Sequence, residues 1–167
     1  MLLKTRPDQV VQSISCTTRN KREGEIDGKD YHFLSKEEFM RRRAAGEFLE
    51  SAELFDNLYG TLEKDVDELL DQGKHVILVI DVQGAMQLEG TEGALSIFVK
   101  PPSLEALKER LVGRKSESDE TLHIRLARAQ EELKQAENYD YTIINDELDR
   151  AFAELNTIIQ KELYDKR

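Results

Sequence analysis

Arg19 and Arg22 stand three residues apart in the stretch CTTRNKREGEIDGKDYHF, from Cys16 to Phe33, close to the hydroxyls of Ser15, Thr17 and Thr18. Arginine presents a planar fork of donors that matches phosphate oxygens two at a time, so such a cluster could clamp a phosphate. The stretch holds four basic and four acidic residues and two glycines, with scarcely any apolar side chain before Tyr31. It cannot bury much of itself, and is either a solvated turn or a loop that holds something charged. Glu50 and Thr61 stand in apolar or turn-like surroundings. A carboxylate held in a pocket can accept two hydrogen bonds from the N1–H and N2–H₂ edge of guanine, and adenine offers no such donor pair there. The plainer reading of Glu50 is the polar face of a half-buried strand. Tyr31 and Tyr59 could stack on a base or donate to a phosphate, although a lone tyrosine more often packs in a core.

Asp81 closes the apolar run KHVILVID. An aspartate at the carboxyl end of a buried strand resembles the Walker B arrangement, in which the carboxylate holds Mg²⁺ beside nucleotide phosphates; it can equally cap the helix that follows. Arg114 and Arg125 flank the hydrophilic stretch GRKSESDETLHIR, which could close over phosphates as a lid, or be plain surface charge. The three histidines show no metal-ligand spacing. Cys16, at a strand end, is expected to be buried rather than reactive.

The elements that must position these groups follow from pattern. VVQSISC (Val10 to Cys16) alternates and is β-branched, so it predicts a strand running into the charged loop. Tyr31 to Leu34 predicts a short strand. Ser35 opens a capping box with Glu38, and a helix is expected to run to about Ala45, stopped by Gly46. Phe48 to Phe55 reads as extended, Asn57 to Gly60 as a turn, and Leu62 to Gln72 as a helix ended by Gly73. KHVILVID, LSIFVK (Leu95 to Lys100) and YTIIN (Tyr141 to Asn145) predict parallel strands. Helices are expected over Ser103 to Val112, Asp119 to Asn138 and Leu148 to Leu163. Strands alternating with helices predict an α/β protein with a parallel sheet. Ligands of such sheets lie beyond the carboxyl ends of the strands, where Asp81 and the charged loop both fall.

The 167 residues are the size of one domain, with 39% hydrophobic and 35% charged residues. A net charge of −10 argues against non-specific nucleic-acid binding, so an anionic ligand needs a local basic cluster. One cysteine cannot form an internal disulfide, which points to a reducing, cytoplasmic compartment. No run is long enough to span a bilayer, and MLLKTRPDQ lacks the apolar region of a signal peptide, so neither membrane nor export is expected.

Taken together these segments resemble the guanylate kinase family. SISCTTRNKREGEIDGKDYHF, EFLESAELFDNLYGT, DVQG, KPPSLEALKERLVGR, ETLHIRLARAQ and INDELDRA occur in family order and spacing, from about Pro7 to Tyr164. The resemblance implies a three-layer, parallel-sheet kinase fold that moves the γ-phosphoryl group of ATP onto GMP with Mg²⁺. It implies a core over 1–16, 74–112 and 126–167, a GMP-binding subdomain over 17–73 and a lid over 113–125. GMP's phosphate would meet Ser15, Arg19, Arg22, Tyr31 and Tyr59, and its guanine edge Glu50 and Thr61. Asp81 would serve the guanine and Mg²⁺ side. Arg114 and Arg125 would act on the transferring phosphates, and Asn145, with Arg114, would serve ATP. GMP and ATP are the implied partners; monomer and homodimer both stay open.

Two departures from the family pattern stand out. Val79 occupies the first position of the usual D-x-D, leaving Asp81 alone. No G-x-x-x-x-G-K-[ST] occurs in the 167 residues, the family's phosphate loop for ATP. MLLKTRPD resembles the second half of the helix after that loop, so roughly twenty residues of the usual strand–loop–helix unit are expected upstream. An internal methionine taken as a start, or a fragment, would give such a sequence. The alternative is a guanylate-kinase-like interaction domain that binds phosphorylated peptides at the former GMP site.

Overall fold

The computed structural model of the chain describes residues 6, 8–112 and 119–164. Two compact units divide it, Met1–Ala94 and Leu95–Arg167.

In the first unit, β1 (Val10–Gln12) pairs in parallel with β6 (His75–Ile77), Val11 opposite Val76. A four-stranded sheet has the order β3-β2-β5-β4, from β2 (Cys16–Thr17), β3 (His32–Phe33), β4 (Phe48–Leu54) and β5 (Asn57–Leu62). Helices α1 (Lys36–Ala44), α2 (Glu63–Asp71) and α3 (Val82–Gln87) complete the unit. The start of α1 is as expected: the Ser35 hydroxyl accepts the Glu38 N–H at 3.1 Å, and Gly46 follows the helix with φ +71°. The reciprocal half of the capping box is replaced, because the Glu38 carboxylate pairs with Arg41 and Arg42. Phe39 is fully buried and stacks on Phe48 with centroids 4.4 Å apart, against Cys16, Leu58 and Leu62. Cys16 is buried as expected, and burial pushes its thiol up to about 12, which makes it unreactive.

The second unit holds a parallel pair, β7 (Ile97–Lys100) with β8 (Tyr141–Ile144), and α4 (Leu104–Val112), α5 (Asp119–Lys134) and α6 (Leu148–Leu163). Ile143, Ala151 and Ile158 form its core. No helix among the described residues is long and apolar enough to cross a membrane.

Four expectations need correction. Val10 to Cys16 is not one strand: Ser13 N–H still bonds the Ile77 carbonyl, but Cys16 has moved to Gly60 and His32, so the chain changes sheet between them. Asn57 to Gly60 is strand rather than turn. The hairpin turns at Phe55 and Asp56, both at positive φ (48° and 63°), with Leu54 opposite Asn57. The run KHVILVID is strand only to Ile77. Among the described residues β6 ladders with β1 alone, and Val79 is 67% exposed rather than buried between helices. The expected Asp119–Asn138 helix tightens after Lys134 into a 3₁₀ turn, Gln135–Asn138.

Candidate functional site

The charged loop is ordered by its own polar groups. Thr17 Oγ1 accepts the Arg19 N–H at 3.2 Å, and Thr18 Oγ1 accepts the Leu58 N–H at 2.9 Å. The Thr17 hydroxyl thus ties the start of the loop to itself, and the Thr18 hydroxyl ties it to β5. Asp27 Oδ1 accepts from Phe33 N, Asp30 Oδ2 from Ile26 N, and Gly28, at φ +74°, donates to the Tyr31 carbonyl. Carboxylates here replace the backbone partners that a segment without regular structure would lack.

Arg19 is the best-held cation of the loop. Its Nη1 and Nη2 donate to the Glu25 carboxylate at 3.1 and 2.7 Å, and Nη1 donates to the Asn20 carbonyl at 2.7 Å. The guanidinium lies 5.4 Å from the Tyr31 ring centre and also interacts with the Tyr59 hydroxyl. Glu25 receives the Arg22 N–H as well, at 2.7 Å, and hydrogen bonding to Arg19 holds its carboxyl below the ordinary value. Arg22 itself is exposed, and Ser15 half-buried. Tyr31 meets Tyr59 edge-on at 6.2 Å. Ser15, Arg19, Tyr31 and Tyr59 thus belong to one neighbourhood, through the β2–β3 and β2–β5 pairings.

Strand β5 links that neighbourhood to a second one. Tyr59 and Thr61 are two residues apart and share a face, about 6.6 Å along the strand. Across from Thr61 stands Glu50, and the register between β4 and β5 shifts between Phe48 and Glu50. That bulge brings the Glu50 side chain directly opposite Thr61, as bulges commonly re-aim a residue at a site. Thr61 Oγ1 donates to Glu50 Oε1 at 2.6 Å, with Glu50 3% and Thr61 1% exposed. Burial pushes the Glu50 carboxyl above its ordinary value; the Thr61 hydrogen bond opposes the rise and the charge of Asp81 adds to it. A carboxylate this deep, with one partner, has acceptor capacity left over: its two oxygens offer about four lone pairs.

Asp81 caps α3, its Oδ1 accepting the Gly84 N–H at 3.0 Å and its Oδ2 the Gln83 amide at 3.1 Å. In the second unit, Asn145 N–H bonds the Lys100 carbonyl, and Arg110 donates to the carbonyls of Asn145 and Asp146 at 2.7 and 3.1 Å. Val99, Pro101, Leu107, Arg110 and Asn145 line a cleft of about 260 Å³ there. Arg125 lies on α5 in the same unit, and Arg114 falls outside the described residues.

The comparisons with known proteins decide the family. The guanylate kinase family model matches residues 1–162. A guanylate kinase of Symbiobacterium thermophilum is 54% identical over 151 residues, 90% of this chain and 72% of the relative. One of Clostridium perfringens is 44% identical over 162 residues, 96% and 74% of the two chains. The chain belongs to the guanylate kinase family. A crystal structure of guanylate kinase from Anaplasma phagocytophilum matches at a TM-score of 0.81 and 36% identity, covering 98% of this chain and 81% of the other. The expected α/β kinase fold is thereby borne out, and the reading as an interaction domain receives no support. Within this chain, Glu25, Gln83, Gly84, Gln87 and Arg110 take part in the geometry without having been singled out by type. Only the acid six residues after Arg19 carried a visible signal, as its partner in charge.

Proposed function

We propose that the chain transfers the γ-phosphoryl group of ATP to GMP, giving ADP and GDP, and that residues 17–73 hold GMP. The observation that carries this reading is the buried Glu50–Thr61 pair, two residues along β5 from the Tyr59–Arg19–Tyr31 neighbourhood. One end offers paired acceptors for the guanine N1–H and N2–H₂ donors; the other offers guanidinium and phenol donors to a phosphate. Arg19, Arg22, Tyr31, Tyr59 and Ser15 bind the 5′-phosphate. Glu50 and Thr61 read the base, with Asp81 beside them. Asn145 and its cleft take the adenine side of ATP, and Arg114 and Arg125 steady the transferring phosphoryl group over the lid segment 113–125. Catalysis of this kind rests on positioning and on electrostatic stabilisation, and no nucleophilic side chain is required.

Mg²⁺ is the implied cofactor. Magnesium is commonly held by one or two carboxylates, waters and substrate phosphates rather than by an all-protein cage. Asp81, a carboxylate already committed at both oxygens to Gly84 and Gln83, fits a contact through water. When bound, the ion neutralises charge on the ATP phosphates. The same reading assigns the protein to purine nucleotide metabolism in the cytoplasm.

Calorimetric titration of the wild-type chain with GMP, IMP and AMP tests the base assignment. GMP should bind most tightly and AMP least; IMP, which keeps N1–H and lacks the N2 amino group, should fall between. Equal affinities for GMP and AMP would sink it. Arg19→Ala should weaken GMP by about 1.5–3 kcal/mol, the worth of hydrogen bonds to a charged group, and leave guanosine nearly unaffected. A common loss for both ligands would make Arg19 structural.

Glu50 also predicts a pH dependence. The base needs the ionised carboxylate, whose pKa in the folded chain lies above the ordinary 4.5 because of burial. Guanosine, which has no phosphate to titrate, should therefore bind progressively more weakly as pH falls through that raised value. Folding has the opposite sign: protonation of a carboxyl whose folded pKa is raised favours the folded state, so stability owed to Glu50 is lost as pH rises through it. Guanosine affinity that stays flat down to pH 4.5 would contradict the assignment.

A further inference from the structure

Glu50 reads the base only if its carboxylate is held in one place, and the Thr61 hydroxyl holds its Oε1. The other oxygen lies against α3. A methyl group added at Gly84 would overlap Glu50 Oε2 and stand 3.0 Å from Glu50 Cδ, while its next neighbour, Ile80 Cβ, would be 3.4 Å away. Gly84 is buried, and its backbone is not in the left-handed region. Backbone conformation therefore does not demand glycine there. What demands it is the Glu50 carboxylate, which occupies the space a side chain would fill.

The helix that carries Gly84 is tied to the strand that carries Glu50. Gln87 Nε2 donates to the Ser51 carbonyl at 2.8 Å, and its Oε1 accepts the Ser51 N–H at 3.1 Å, so one side-chain amide pairs with β4 as a peptide group would. Gln83 Nε2 donates to the Glu53 carbonyl at 3.1 Å. The two glutamines are four apart on a helix, about 6 Å. Their strand partners are two apart, about 6.6 Å, so the spacings match without strain. Among the described residues β4 is an edge strand of its sheet, and these amides occupy its outer side.

We propose that Gly84, held against β4 by the Gln83 and Gln87 amides, is the positioning residue that sets where the Glu50 carboxylate meets guanine. It acts through Glu50 and need not touch the substrate. The inference rests on the base-reading role given to Glu50 above.

The test is Gly84→Ala in the full 167-residue chain, titrated with GMP, guanosine and AMP and melted alongside wild type. The methyl displaces a side-chain end rather than backbone, so binding should suffer more than folding; alanine is also the better helix former. GMP and guanosine should weaken by the same factor, ten-fold or more, while AMP changes less than two-fold. In a Glu50→Ala background, where nothing overlaps the methyl, Gly84→Ala should alter GMP affinity less than two-fold. Gln87→Ala should shift the GMP/AMP ratio in the same direction, by about three-fold. Equal losses in the two Glu50 backgrounds, or a GMP preference untouched by Gly84→Ala, would overturn the inference while leaving the base assignment standing. Equal binding of GMP and AMP by wild type would overturn both. If Gly84→Ala alone does not fold, the Glu50→Ala/Gly84→Ala pair still should; its failure would show that Glu50 is not what excludes a side chain at position 84.

Discussion

Glu50→Gln should remove most of the preference for GMP over AMP, lowering the affinity ratio by at least about a hundred-fold, from two hydrogen bonds to a charged acceptor at about 1.5–3 kcal/mol each. The amide oxygen accepts more weakly, and the amide NH₂ faces the guanine donors with another donor. The Thr61 hydroxyl, which donates to Glu50 Oε1 at 2.6 Å, can still donate to the amide oxygen, so the fold loses no partner. Burial raises the Glu50 pKa, which means that ionising this carboxyl costs more in the folded chain than in the unfolded one. The neutral isostere should therefore melt at the same temperature as wild type or higher, a site that trades stability for function. Titration with GMP and AMP, with melts at pH 7, checks both halves. A GMP/AMP ratio that survives the substitution would show that the base is read elsewhere.

The largest effect on turnover should come from ATP's phosphates. The 167 residues contain no G-x-x-x-x-G-K-[ST], hence no lysine of that loop and no cradle of backbone N–H groups for the β- and γ-phosphates. Loss of a single preorganised donor commonly costs about 10²–10³ in rate, and the loop supplies several. GMP-dependent ADP release by the 167-residue polypeptide should thus be at least about a thousand-fold slower than by the same chain with a family-type strand, loop and half-helix fused ahead of Met1. Melting temperature should rise with it. Among the described residues, the parallel pairs β1–β6 and β7–β8 have two strands each, fewer than the three that usually make a sheet stable on its own. Comparable turnover by the two polypeptides would show that residues already present can do the loop's work.

Much of this protein is written locally in its chain. Ser35, Gly46 and the acids of the first turn mark α1, because a cap is a contact between residues three apart. The 3.6-residue period marks α6 end to end, from Leu148 to Leu163. Family order and spacing pointed to Ser15, Arg19, Tyr31, Glu50, Tyr59 and Thr61, and the fold brings these together along β2, β3, β4 and β5. Other features depended on partners far away in sequence. Val10 to Cys16 alternates like one strand, yet its two ends ladder with different sheets. KHVILVID looks buried throughout, but a strand persists only as far as its neighbour pairs with it, and β1 ends at Gln12 opposite Ile77. The turn lies at Phe55–Asp56 because the Leu54–Asn57 register requires it, against the local preference for Asn57 and Gly60. Glu50 faces Thr61 because of a bulge, and Gly84 lacks a side chain because a carboxylate 34 positions earlier takes the space. Residue types and spacing name the groups that can do chemistry; where each oxygen points is a property of packing between segments, which a linear pattern does not encode.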